Sequence, residues 1–84
     1  MTREEIVALV NEAFAREFEL DSAQLVENAN LHDDLGLDSL DRVDMVIVLE
    51  KAFSFTVSDK SQLAKIATLG DIYDYIEANA ANDH

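Results

Sequence analysis

The stretch Asp34-Leu35-Gly36-Leu37-Asp38-Ser39-Leu40-Asp41 hands a one-glycine turn over to an apolar-rich run from Val43 to Phe53. Nothing else in the chain constrains its fold as strongly. A turn that ends in Asp-Ser before a periodic run marks a helix start, because a short acidic side chain accepts backbone N–H groups that the first helical turn leaves unpaired. Asp38 suits that N-cap role, which leaves Ser39 near the first helical position. A serine used as the cap would bond to its own backbone. One just past an Asp cap can point outward over the positive end of the helix dipole, where a phosphate ester is favoured. The plain alternative is that Ser39 only helps to start the helix.

The spacing predicts this helix over about 39–53, with Met45, Val46, Leu49 and Phe53 facing the core. A different face carries Leu40, Asp44, Ile47 and Lys51, which places two apolar residues among charges on an outward strip. Upstream, Thr2 and Glu5 form a capping-box pair. Ile6, Leu9, Val10, Ala13 and Phe14 then recur at helical spacing, predicting a helix over about 3–18. Residues 19–38 show no sustained period. One short helical turn fits 21–25, and Leu25, Val26, Leu31, Leu35 and Leu37 are spaced to pin a long loop to the core. Asn30 is expected to satisfy local backbone ahead of Asp33-Asp34, with His32 a loop or surface residue.

Downstream, residues 54–58 alternate polar and apolar but have no second strand to pair with, so an extended loop burying Phe55 and Val57 is expected. A short helix is predicted over 59–65, capped by Ser58 or Asp59, with Leu63 and Ile66 inward. A last helix over about 69–80 opens at Thr68-Leu69-Gly70-Asp71, with Leu69, Ile72, Tyr73, Ile76 and Ala80 inside; residues 81–84 read as a frayed tail. With no proline and two glycines, the whole reads as all-α: a small bundle of three main helices plus one short helix, with a long loop between helices one and two, forming one domain over 1–84.

Charge and missing residue types narrow the chemistry. A net charge of −12 repels nucleic acid and anionic membranes and steers basic protein surfaces toward the chain. The absence of cysteine removes disulfides, zinc-thiolate sites and thiol nucleophiles. The N-terminus lacks a signal-peptide h-region, and the longest apolar stretch, Met45 to Leu49, is too short to span a bilayer. A cytoplasmic monomer is expected. Residues 37–41 read Leu-Asp-Ser-Leu-Asp, not the Gly-x-Ser-x-Gly of a hydrolase elbow. Gly36 is misplaced for an EF-hand, so no dedicated metal site is expected.

Asp38-Ser39-Leu40-Asp41 after Leu35-Gly36-Leu37, opening an acidic helix in a small acidic chain, resembles the phosphopantetheine attachment site of acyl carrier proteins. The resemblance covers nearly the whole chain. It implies a carrier rather than an enzyme: 4′-phosphopantetheine from coenzyme A is joined to Ser39 by a phosphopantetheinyl transferase (holo-acyl-carrier-protein synthase), beside Asp38 and Leu40. It implies partner contacts through Asp38, Leu40, Asp41, Asp44, Ile47 and Glu50 to enzymes with basic patches, including ketosynthase, acyltransferase, ketoreductase and dehydratase. It also implies an acyl cleft lined by Val43, Val46, Ile66, Tyr73 and Ile76. Tyr73 is larger than the aliphatic residue the family often has there, so it either shortens the cleft, meets a polar group on the cargo through its hydroxyl, or simply packs in the core.

Three departures stand out against that family. Lys51 replaces a common acid, Ser58 replaces a common proline, and Lys60-Ser61-Gln62 dilutes an acidic tract in a segment one residue longer. The pathway thus divides between type II fatty-acid synthesis and a specialised polyketide, aryl-polyene or non-ribosomal peptide route. An unmodified acidic helical adaptor that binds a basic protein is the alternative from another class.

Overall fold

The computed structural model describes residues 2–57, 61, 63 and 65–79. Three α-helices carry the architecture: α1 Arg3–Phe18, α2 Ser39–Phe53 and α3 Leu69–Asn79, with a 3-10 turn at Ser22–Gln24. Among the described residues there is no strand, only an isolated antiparallel bridge between Asn30 and Thr68. Ser61 and Leu63 are helical; 58–60, 62 and 64 lie outside the described residues, as do the cap expected at Ser58 or Asp59, Ala80 and the tail.

Each helix start is set by a local device readable in the sequence. Thr2 Oγ1 accepts from the Glu5 N–H at 3.2 Å while Glu5 Oε1 accepts from the Thr2 N–H at 2.8 Å. Thr68 and Asp71 make the same reciprocal pair at α3, at 3.3 and 3.4 Å. Each pair satisfies two of the four N–H groups that a helix start leaves over. α1 and α2 end at Glu19 and Ser54, both with positive φ, which stops helical propagation.

The core collects the inward stripes. Ile6, Val10 and Phe14 of α1, Met45 and Leu49 of α2, and Leu69, Ile72, Tyr73 and Ile76 of α3 are fully buried or nearly so. Each such aliphatic or phenyl side chain contributes about 1.5–3 kcal/mol through removal from water. Val57 is buried as the extended-loop reading expects, while Phe55 is only half-buried against the core.

The long first loop is pinned by Leu25, Ala29, Leu31, Leu35 and Leu37, all buried. Val26 departs from expectation: it is 49% exposed, because the 3-10 turn brings Leu25 inward and the next side chain out. Asn30 Oδ1 accepts from the N–H groups of His32 and Asp33, and Gly36 turns the chain with φ +71°. The loop is laced to the start of α3 through Leu31 N–H to Ala67 O (2.8 Å), Leu69 N–H to Ala29 O (3.1 Å) and Gly70 N–H to Glu27 O (2.7 Å). Gly70 is required there, since a Cβ would lie 3.0 Å from the Glu27 carbonyl oxygen and 2.8 Å from its Cγ.

A polar cluster closes the bundle over Tyr73. The Arg3 guanidinium lies 5.5 Å from the Tyr73 ring centroid and pairs with Asp74 at 2.7 Å and Glu27 at 3.3 Å. It thereby ties α1, the first loop and α3 together.

Candidate functional site

The α2 N-terminus is the part of the surface where local geometry leaves chemistry unused. Asp38 has an extended backbone and accepts the Asp41 N–H on Oδ1 at 3.0 Å, while Asp41 Oδ2 accepts the Asp38 N–H at 3.2 Å. Capping therefore falls to Asp38 and Asp41. Ser39, the first helical residue, is exposed. Among the described residues no hydrogen bond engages its Oγ, and none takes up the N–H groups of Ser39 or Leu40. A free hydroxyl above unpaired amides at the positive end of a helix can bear a phosphate ester with little cost.

Along α2 from Ser39, Leu40, Val43 and Ile47 are 77%, 60% and 45% exposed. They form one apolar strip at helical spacing, flanked by Asp38 and Asp44, both exposed, and Asp41, half-buried. Val43 is placed differently from its expected position in an inner cleft. A three-residue step turns a helix about 300°, so Val43 sits well off the inward direction of Val46, and it belongs to the outer strip. Glu50, expected on the partner face, is half-buried and its Oε2 accepts the Val57 N–H at 2.8 Å. It holds the loop after α2 whatever else it meets. Lys51 is exposed.

The other four residues expected around the cargo, Val46, Ile66, Tyr73 and Ile76, come together in the core, each no more than 9% exposed. The Tyr73 hydroxyl donates to Asn11 Oδ1, so it is already partnered within the protein rather than held for a cargo group. Burial pushes its pKa above the ordinary value, and the Asn11 bond offsets this only in part. An open groove of about 510 Å³ lies elsewhere, between α1 and α2, lined by Ala13, Phe18, Asp44, Ile47 and Lys51 among others and by none of the expected cleft residues.

Sequence reading missed Arg42. Its guanidinium donates to the Ile66 carbonyl at 2.8 Å, joining α2 to the segment before α3. No local signal marks that contact, because the partner lies 24 residues away. His32 is exposed and meets Asp33 at 3.1 Å, a surface pairing that brings no base to Ser39. Among the described residues no cluster of His, Cys, Asp or Glu is arranged to hold a metal ion, and no helix is long and apolar enough to cross a membrane.

Residues 8–76 match the family described as "Phosphopantetheine attachment site". An acyl carrier protein of Thermotoga maritima is 46% identical over 76 residues, covering 90% of this chain and 93% of the relative. An acyl carrier protein of Exiguobacterium sp. is 40% identical over 77 residues, covering 92% and 96%. One of Prochlorococcus marinus is 37% identical over 78 residues, covering 93% and 96%.

Proposed function

The chain belongs to the acyl carrier protein family, and from that premise we propose that Ser39 Oγ is the attachment point of its 4′-phosphopantetheine group and that the loaded chain serves type II fatty-acid synthesis or a related acyl pathway in the cytoplasm. Members of this family are carriers, not enzymes, and 4′-phosphopantetheine is their prosthetic group. The observation that carries the assignment to Ser39 is its exposed, unpartnered hydroxyl at the first position of α2, freed from capping by Asp38. The donor set fits the group, since the hydroxyl would offer the ester oxygen and the unpaired amides of Ser39 and Leu40 would supply donors for its negative charge.

In the attachment step a phosphopantetheinyl transferase presents coenzyme A. Ser39 Oγ attacks the β-phosphorus, the P–O bond to adenosine 3′,5′-bisphosphate breaks, and the Oγ proton passes to a base on the transferase, which also holds the Mg²⁺. When bound, the arm supplies a terminal thiol that carries acyl groups as thioesters. The chain's own part is to present and to steer. Asp38 fixes the helix start, and Asp38, Asp41 and Asp44 attract basic patches on the transferase and on ketosynthase, acyltransferase, ketoreductase and dehydratase partners. Leu40, Val43 and Ile47 offer the apolar centre of that contact. Glu50 stands at its far end, with one carboxylate oxygen engaged by Val57.

Cargo is placed between α2 and α3, against Val46, Ile66, Tyr73 and Ile76. These residues belong to one buried core cluster, so an acyl chain must part core side chains to enter. The test of the carrier reading is intact mass after incubation with coenzyme A and a broad-specificity transferase. The expected result is one added phosphopantetheine on the wild type and none on Ser39→Ala. A wild type left unmodified by several competent transferases would favour the unmodified adaptor instead.

A further inference from the structure

We propose that Arg42 is the positioning residue that keeps the cargo cleft shut: its bond to the Ile66 carbonyl clamps α2 to the segment before α3, and an acyl chain enters by displacing it. The inference rests on the reading that cargo lies against Val46 and Ile66. Arg42 is one helical turn before Val46 on the same face of α2, and one turn after Ser39. Any chain that runs from Ser39 toward Val46 passes Arg42 first.

The clamp bridges α2 and a segment whose far end is laced to the first loop. Residues 67–70 are laced to the first loop through Ala67, Leu69 and Gly70. Among the described residues, Arg42 Nη1 ties this segment to α2 by donating to Ile66 O at 2.8 Å, a charge-assisted bond in a half-buried setting. Val46 is 6% exposed and Ile66 9% exposed, and both belong to the same core cluster. Moving α2 away from Ile66 to admit a chain breaks the clamp, which spans the two. A carrier needs such a device because its cargo must be sheltered and then released.

Linkage turns the clamp into a measurable sign. The short-armed protein keeps the bond and the cargo-filled protein has given it up. Removing Arg42 therefore destabilises the first more than the second. The experiment loads the apo chain with acetyl- or octanoyl-coenzyme A through a broad-specificity transferase, verifies each product by intact mass, and compares melting temperatures. The gain is the octanoyl melting temperature minus the acetyl one. Wild type is expected to show a positive gain. Arg42→Ala lowers both melting temperatures but widens the gain by on the order of 4 °C. Arg42→Lys, which keeps a charge and a donor, returns the gain toward wild type, and Arg42→Gln serves if the alanine variant does not fold. Equal losses in both loaded forms, with the gain unchanged, would make Arg42 a plain structural tie and overturn the proposal. A correctly loaded wild type with no gain would overturn the internal cleft and the clamp with it. Failure of loading itself would strike the attachment reading instead.

Discussion

Tyr73→Phe removes one hydroxyl and leaves the ring in place. Tyr73 is 1% exposed, and its hydroxyl donates to Asn11, whose own amide donates to the Leu25 carbonyl at 3.4 Å. The bond thus links α3 to α1 and, one step on, to the first loop. One intramolecular hydrogen bond is worth about 0.5–1.5 kcal/mol net, and a buried partner left unpaired costs more. Asn11 is half-buried, so water can replace the lost donor and the loss stays near about 1 kcal/mol. For a domain of this size that corresponds to a fall of about 4–8 °C in melting temperature. Thermal unfolding of the unmodified protein at pH 7, followed by circular dichroism, measures it. The same variant carries a pH signature. Burial raises the Tyr73 pKa above its ordinary value of 10.0. Below that value both states keep the proton and Tyr73 adds no slope. Above it the unfolded chain sheds the proton first, so stability falls as pH rises toward the folded pKa. Tyr73→Phe should remove that part of the alkaline decline. A variant that melts with wild type at pH 7 and declines identically above pH 10 would refute the role given to this hydroxyl.

Other perturbations probe separate parts of the structure. Gly70→Ala forces a Cβ to within 3.0 Å of the Glu27 carbonyl and should cost about 1–3 kcal/mol in urea unfolding, as overpacking does. Asp38→Ala removes the α2 cap and should cost about 1 kcal/mol in the same assay, while leaving the Ser39 hydroxyl chemically intact. Asp44→Lys, exposed and outside any cap, should keep the melting temperature within a few degrees but slow transfer of the arm and flatten its salt dependence; unchanged kinetics would take α2 out of the docking face. Val46→Trp should abolish the octanoyl-dependent gain in melting temperature without preventing modification of Ser39.

Much of this molecule is legible in its sequence because its helix starts are local. A capping box is four residues long, and the reciprocal pairs at Thr2, Asp38 and Thr68 set where α1, α2 and α3 begin. The exposed Ser39 follows from the same logic, since an Asp immediately before it takes the cap. What escaped the sequence depends on contacts across the fold. Val43 is implied in the cleft by the family resemblance, yet a three-residue step turns it off the inward direction of Val46 and it is 60% exposed. Glu50 looked like a surface acid until the chain after α2 turned back to donate the Val57 N–H. Tyr73 reaches Asn11 across 62 residues and Arg42 reaches Ile66 across 24, separations at which residue spacing carries no signal.

The attachment of the arm to Ser39 is the claim on which the rest depends, and mapping the modification to a residue tests it most directly. The chain holds five serines, at 22, 39, 54, 58 and 61. Ser39 is exposed at the first position of an α-helix capped by the preceding Asp, whereas Ser22, which also follows a capping Asp, opens only a three-residue 3-10 turn. After reaction with coenzyme A and a broad-specificity transferase, proteolysis and fragmentation mass spectrometry should place a single phosphopantetheine on Ser39 and leave the other four serines unchanged. An adduct on any other serine, or on several at once, would contradict the account.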